Sequence, residues 1–256
     1  MAANSDGGHR WNLYTEPTIL VEVRDKIGHM GAYHVHKSVL TEHSKFFRDC
    51  FSKDDKDVAT NKISIEVAEL YLFPFLVDWL YRHYLPNMET WSSVYLPAGK
   101  TMSEYEWEID LYLIAHELQI RSLKSIVLNL AVDWFAKSKT SPSYSAIIDA
   151  FKRVPPGCPF LQFLVDAHCL HWILGHDNDK EGSLIRKLPA TFISKMMDKY
   201  QKLSKKKSET ITLNAADYTE DESEDESEDD YDTDETEGQE AEQTDERPRK
   251  KIKTST

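Results

Sequence analysis

Histidine and cysteine at short spacings are the residues of this chain best suited to chemistry. His168, Cys169 and His171 fall within one helical turn, and His176 follows five residues later. Zinc binds such sets, and a Cys–His pair is the minimum for nucleophilic catalysis. No second ligand pair with the spacing of a closed site accompanies them. His168 also continues the apolar series Leu161, Leu164, Val165 at helical spacing. A histidine at the edge of a core is therefore expected, with no metal. His34, His36 and His43 form a second cluster, and His34 and His36 share one face of an extended segment. A metal site would need further ligands converging on that face; the alternative is that His36 packs where a hairpin meets the first helix. The nine glycines form no phosphate-binding pattern. Paired carboxylates abound only near the C-terminus, where nothing would hold them in a preorganised pocket. The chain is read as non-enzymatic, with no catalytic group, cofactor or metal.

Near the C-terminus the chemistry is that of charge. Thr219, Ser223 and Ser227 each precede an acid by three residues (Glu222, Glu226, Asp230). That spacing suits an acidophilic kinase of the casein-kinase type; the alternative is an unmodified, solvating spacer. Arg247, Arg249, Lys250, Lys251 and Lys253 place five positive charges in seven residues, a pattern resembling a one-part nuclear import signal. The alternative is charge balance for the acidic run. Lys205-Lys206-Lys207 is a second, weaker cluster. A nuclear location, or nucleus and cytoplasm, is expected.

The charge is unevenly placed. Of 44 acidic and 31 basic residues in 256, residues 204–256 hold 19 and 8, which leaves the first 203 residues close to neutral. A nearly neutral body is not built for bulk attraction to nucleic acid. No run approaches the ~18 apolar residues of a membrane span, and the polar start Met1–Gly8 does not look like a signal peptide. Cys50, Cys158 and Cys169 are too few for a disulfide framework, so a reducing compartment is expected.

Hydrophobic periodicity supplies the elements. Residues 1–17 read as a flexible arm. Thr18–Arg24 is β-branched and apolar, Asp25–Gly28 is turn chemistry, and Tyr33–His36 alternates, together a β-hairpin. Val39-Leu40 and then Phe46-Phe47 and Phe51 mark two short helices, the second capped by Ser44. Lys53–Lys62 reads as a loop and Ile63-Ser64-Ile65 as a strand. Leu72, Phe75, Leu76, Trp79 and Leu80 line a helix with Pro74 in its first turn. Residues 85–108 read as a long loop. Leu111, Ile114, Ala115 and Leu118 mark one helix, and Leu123, Ile126, Val127, Leu130 and Ala131 the next. Ser141-Pro142 reads as a cap followed by a first-turn proline, opening a helix lined by Tyr144, Ile147, Ile148 and Phe151. Pro155-Pro156-Gly157 stops it. Leu161 to His168 line another helix, and Phe192, Ile193, Met196, Met197 and Tyr200 the last. Beyond Leu203 large hydrophobes are so sparse that residues 204–256 are read as a disordered acidic tail ending in a basic cluster.

Three stretches of this series resemble the BTB/POZ domain. His36-Lys37-Ser38-Val39-Leu40 with Ser44-Lys45-Phe46-Phe47 resembles the family's "H-x-x-x-L…S-x-x-F" signature. Phe73, Trp79, Leu80 and Tyr81 resemble its "F…W-L-Y" helix. Leu111-Tyr112-Leu113-Ile114-Ala115 with Leu123-Lys124 resembles its "L-Y-x-x-A…L-K" helices. The resemblance covers about residues 18–136. Residues 139–203 are similar to the helical extension of many fungal members, with Leu188-Pro189 near its end. It implies an α+β fold, a BTB/POZ-like helical domain with a small β-sheet, and an interaction scaffold or adaptor with protein partners. The motif residues it marks are His36, Lys37, Leu40, Ser44, Phe47, Trp79, Tyr81 and Ala115. Phe46, Phe47, Trp79 and Tyr81 are expected mostly in the core rather than in a partner groove. Residues 1–16 lack the amphipathic helix with which dimeric members begin, so a homodimer is left open. The resemblance also permits a substrate adaptor of a cullin-type ubiquitin ligase, although Ser52-Lys53-Asp54-Asp55 lacks the hydrophobic-x-Glu pattern of tight cullin binding. A third reading, from the tail alone, is a chaperone for histones or other basic proteins. An import receptor would meet the basic cluster. No membrane and no direct nucleic-acid contact are expected.

Overall fold

In the computed structural model the described residues are 15–52, 61–67, 70–85, 106–138, 140–171, 179–205 and 210–220. Strand β1 (Thr18–Asp25) buries Ile19, Val21 and Val23 on one face, as the period of two requires. It pairs antiparallel with β2 (Met30–His36), Thr18 opposite His36 and Arg24 opposite Met30. Asp25 shapes the turn: its Oδ1 accepts from the backbone of Ile27 (3.1 Å) and His29 (2.8 Å). Gly28 takes φ +91°, a left-handed conformation that L side chains rarely adopt.

Two short helices follow, α1 (Lys37–His43) and α2 (Lys45–Ser52). The chain then returns as β3 (Lys62–Val67), parallel to β1, so the sheet order is β2-β1-β3 with β1 central. The loop expected over Lys53–Lys62 gives way to β3 at Lys62, and residues 53–60 lie outside the described residues. A 3₁₀ turn, Leu70–Leu72, leads into α3 (Phe73–Arg82), with Pro74 in its first turn. Helix α4 (Trp107–Glu117) buries every residue from Trp107 to Ala115 except Asp110. The loop expected over 85–108 is thus two residues too long: Trp107 and Glu108 are buried and helical. Residues 86–105 lie outside the described residues.

Helix α5 (Arg121–Ser138) packs beside α4 through Leu123, Val127, Leu128, Ala131, Val132 and Phe135. Ile126 and Leu130 do not join this face. They stay exposed, with Trp134 (48% exposed) four residues further along the same side. Helix α6 (Tyr144–Arg153) corrects the expected cap. Ser143, not Ser141, is the N-cap, its Oγ accepting from Ala146 N at 3.2 Å, and Pro142 precedes it. Glu106 fixes that position, accepting from Ser143 N (2.7 Å) and Ser143 Oγ (2.5 Å). Helix α7 (Pro159–His171) is apolar nearly all round and buried from Phe163 to Cys169, as a helix at the centre of a fold must be. Helix α8 (Asp179–Leu184) and a 3₁₀ turn, Ile185–Lys187, lead to α9 (Ala190–Lys205). On α9 only Phe192 is fully buried, and Met197, expected on the inner stripe, is 63% exposed.

One hydrophobic core runs from the sheet through α1–α5 into α6 and α7; a smaller cluster joins Tyr144, Ile147, Val165, Cys169 and Phe192. The C-terminal boundary also needs correcting. Helix α9 continues to Lys205, and residues 210–220, expected within a disordered tail, lie against the body as a strap ending in a 3₁₀ turn, Ala215–Tyr218. The compact unit ends at Glu220. Tyr218 drives the docking: its ring is 3% exposed and joins the main core, with Leu213 packed against it. No helix of the described residues is long and apolar enough to cross a membrane.

Candidate protein-interaction surface

Two of the motif residues, His36 and Tyr81, meet at one corner of the fold. The Tyr81 hydroxyl from α3 accepts from the backbone of His36 at 3.1 Å and lies 2.7 Å from its Nδ1. Its single proton can fill the Nδ1 lone pair, so strand end and helix are stitched across 45 positions. Ser44, fully buried, does two jobs. Its Oγ accepts from Phe47 N (3.2 Å), capping α2, and donates to Leu118 O (2.5 Å) at the end of α4. Leu40, Phe47 and Ala115 are completely buried, and Trp79 is 2% exposed. Lys37 lies outside the core, its ammonium 4.8 Å from the Phe51 ring centroid. Phe47 and Trp79 are therefore core, and only parts of Phe46 and Tyr81 reach the surface.

His36, His43 and His168 are engaged in packing contacts of the described fold. His34 is exposed, while His36 engages Tyr81. The His43 ring packs edge-on to Trp79 (5.4 Å) and His83 (4.7 Å), and burial lowers its pKa. His168 is 1% exposed between Tyr144 (5.6 Å) and Phe192 (5.4 Å). Burial pushes the Cys169 thiol up to about 11, far from a reactive thiolate. His171 Nε2 donates to Phe135 O at 2.6 Å. His176 lies outside the described residues. Among the described residues no three His, Cys, Asp or Glu side chains come together as a metal site.

Where the strap lies is a site that sequence reasoning missed. The Tyr218 hydroxyl donates to Asp166 Oδ2 at 3.0 Å, and its ring lies 5.5 Å from Phe163. Asp166 is held from its other oxygen by Gln162 Nε2 (3.0 Å) and Lys199 Nζ (3.0 Å). Two residues on, the Glu220 carboxylate pairs with Lys124 and accepts from the Tyr112 hydroxyl (3.2 Å) and Cys158 Sγ (3.3 Å). Burial opposes its charge, yet Lys124, Cys158 and Tyr112 hold its pKa below the ordinary value. The one signal in the sequence was Ile211, Leu213 and Tyr218 standing in an otherwise mostly polar stretch. Thr219 lies between the two anchors, exposed, its Oγ1 donating to Ala216 O at 3.2 Å. Ser223, Ser227, Arg247, Arg249, Lys250, Lys251 and Lys253 lie outside the described residues.

Comparison with known proteins bears on the first of these surfaces. A family model described as the BTB/POZ domain matches residues 14–130, from the approach to β1 to the middle of α5. No match was found among curated proteins. Helices α6–α9 and the strap follow the matched segment.

Proposed function

We propose, from the match of residues 14–130 to the BTB/POZ domain, that the chain is a non-enzymatic scaffold or adaptor for protein partners acting in the nucleus. The family match carries this reading. The motif corner supports it: His36, Ser44, Trp79 and Tyr81 are used up in holding the fold, so the domain offers partners a rigid outer surface rather than a pocket of reactive groups. Partner binding then rests on burial of apolar area with a polar rim.

The nuclear part rests on Arg247, Arg249, Lys250, Lys251 and Lys253. The acidic run before them, 16 acids and no base over residues 221–246, adds a salt-sensitive attraction for cationic partners, screened over ~8 Å at physiological ionic strength. Phosphates on Ser223 and Ser227 would deepen it by roughly −1.5 to −2 each.

Affinity purification from nuclear extract tests the reading, with the whole chain and with a chain ending at Glu220. Partners retained by both chains support a scaffold acting through its folded body. Cullin among them makes it the ubiquitin-ligase adaptor instead. Partners limited to histones, all lost with the tail, make it a chaperone for basic proteins and overturn the proposal. Alanines at Arg249, Lys250, Lys251 and Lys253 should move a tagged chain to the cytoplasm. If it stays nuclear with Lys205–Lys207 also neutralised, the tail is not an import device.

A further inference from the structure

The strap lies in a groove whose wall residues also hold contacts of their own. Asp166 is already oriented by Gln162 on its own helix and Lys199 on α9. Tyr112 is fixed by stacking on Phe160, ring centroids 3.7 Å apart. Lys124 is carried on α5, where its ammonium pairs with Glu220 of the strap. These groups make two sockets of opposite character: a carboxylate that takes an aromatic hydroxyl, and an ammonium beside a phenol that takes a carboxylate. Phe163 packs against the Tyr218 ring, edge-on and 5.5 Å between centroids. The occupant is a short linear segment with one 3₁₀ turn, capped by Asn214 Oδ1 accepting from Ala216 N at 3.2 Å. Both of its specific side-chain anchors lie within three residues, Tyr218 and Glu220.

We propose that this groove between α4, α5 and α7 is a peptide-docking site, that residues 211–220 are its resident occupant, and that its exchangeable ligand is an acidic partner segment carrying tyrosine-x-glutamate. The proposal rests on the reading of the chain as an interaction protein, on a surface that spans the end of the BTB/POZ domain and the helices after it. Charge complementarity selects the partner. Lys124 faces Glu220 of the occupant, whereas Lys199 is already paired with Asp166 in the groove wall, so the ligand's carboxylate is read by Lys124. The Lys124–Glu220 contact lies at the outer edge, with 41% of the Glu220 side chain exposed, so exchange can begin there. Its covalent attachment to the body gives the occupant an effective concentration on the order of millimolar. A partner segment gains the groove when the occupant is weakened or when a second contact on the partner offsets that advantage.

The test uses the full chain and a fluorescein-labelled synthetic peptide with the sequence of residues 210–220. The chain carrying Tyr218→Ala and Glu220→Ala should bind the peptide at least ~10-fold more tightly than the parent does. Adding Lys124→Ala should abolish that gain, and replacing the peptide's tyrosine by phenylalanine should weaken binding about 10-fold. If the double variant loses its melting transition, the milder pair Tyr218→Phe and Glu220→Gln should show the same order. Equal binding to parent and variant, or binding to neither, overturns the proposal. So does a parent that is dimeric at micromolar concentration by light scattering and becomes monomeric in the variant, because a second copy would then supply the segment. Failure here leaves the BTB/POZ reading standing, since the purification from nuclear extract tests that separately.

Discussion

The corner around Tyr81 and the groove around Tyr218 use one device, a tyrosine hydroxyl reaching a partner far away in the chain: His36 for the first, Asp166 for the second. They differ in what surrounds the tyrosine. Tyr81 stands on a helix that also buries Phe73, Phe75, Leu76, Trp79 and Leu80, so the corner cannot open without losing the core. Tyr218 stands on a segment whose other anchors are only partly buried: Ile211, Leu213, Ala215 and the half-exposed Glu220. A strap of that kind can leave while the body remains folded, because local opening costs only its own contacts. Folding and docking should thus be separable on one side of the molecule and inseparable on the other.

The largest effect expected is at the corner. Trp79→Ala should destabilise the whole chain by roughly 3–5 kcal/mol in chemical denaturation. Tyr218→Ala should cost the body clearly less, because the strap then undocks alone. Equal losses would mean that strap and core unfold together.

Glu108 sharpens the contrast through pH. Burial, with Glu106 and Asp110 nearby, raises its pKa to about 7. The fold therefore prefers its protonated form. That contribution is fully present below about pH 4.5 and is lost as pH rises through about 7, by up to ~3 kcal/mol. Glu108→Gln should remove this part of the pH dependence and leave the variant more stable than the parent at pH 8. A parent and variant with parallel stability curves between pH 4.5 and 8 would refute the shift.

Ser44→Ala removes a cap and strands Leu118 O, at about 1–2 kcal/mol by denaturant midpoint. The smallest effect is expected at Glu220→Gln. Its pairing is partly solvent-screened, so the body should lose less than ~1 kcal/mol. The depressed pKa gives the direction: the strap's hold is strongest above the ordinary glutamate range and weakens as pH falls through the folded value.

The same contrast explains what could be read in advance. Thr18–Arg24, the Phe73–Leu80 helix and the Ser44 cap were legible because each carries its own periodicity or its own capping hydroxyl. The parallel placement of β3 and the shift of the cap from Ser141 to Ser143 were not. Both depend on partners elsewhere, β1 for the strand and Glu106 for the cap. Ile126 and Leu130 fit a helical stripe, but which side of α5 faces inward was decided by Leu123, Val127 and Phe135. The strap was invisible for a related reason. Averaged over a long acidic stretch, Ile211, Leu213 and Tyr218 are too few to predict order; a waiting groove supplies what local composition lacks. His168 was read from the stripe it continues, and it packs between Tyr144 and Phe192.

Hydrogen exchange of the intact protein reads the docking of the strap most directly. Backbone amides of residues 213–220 should be protected in the parent chain. In Tyr218→Ala that protection should be lost, while protection in β1 and α4 is kept. Exchange of residues 213–220 at unprotected rates in the parent would contradict a docked strap, and with it the body's extension to Glu220.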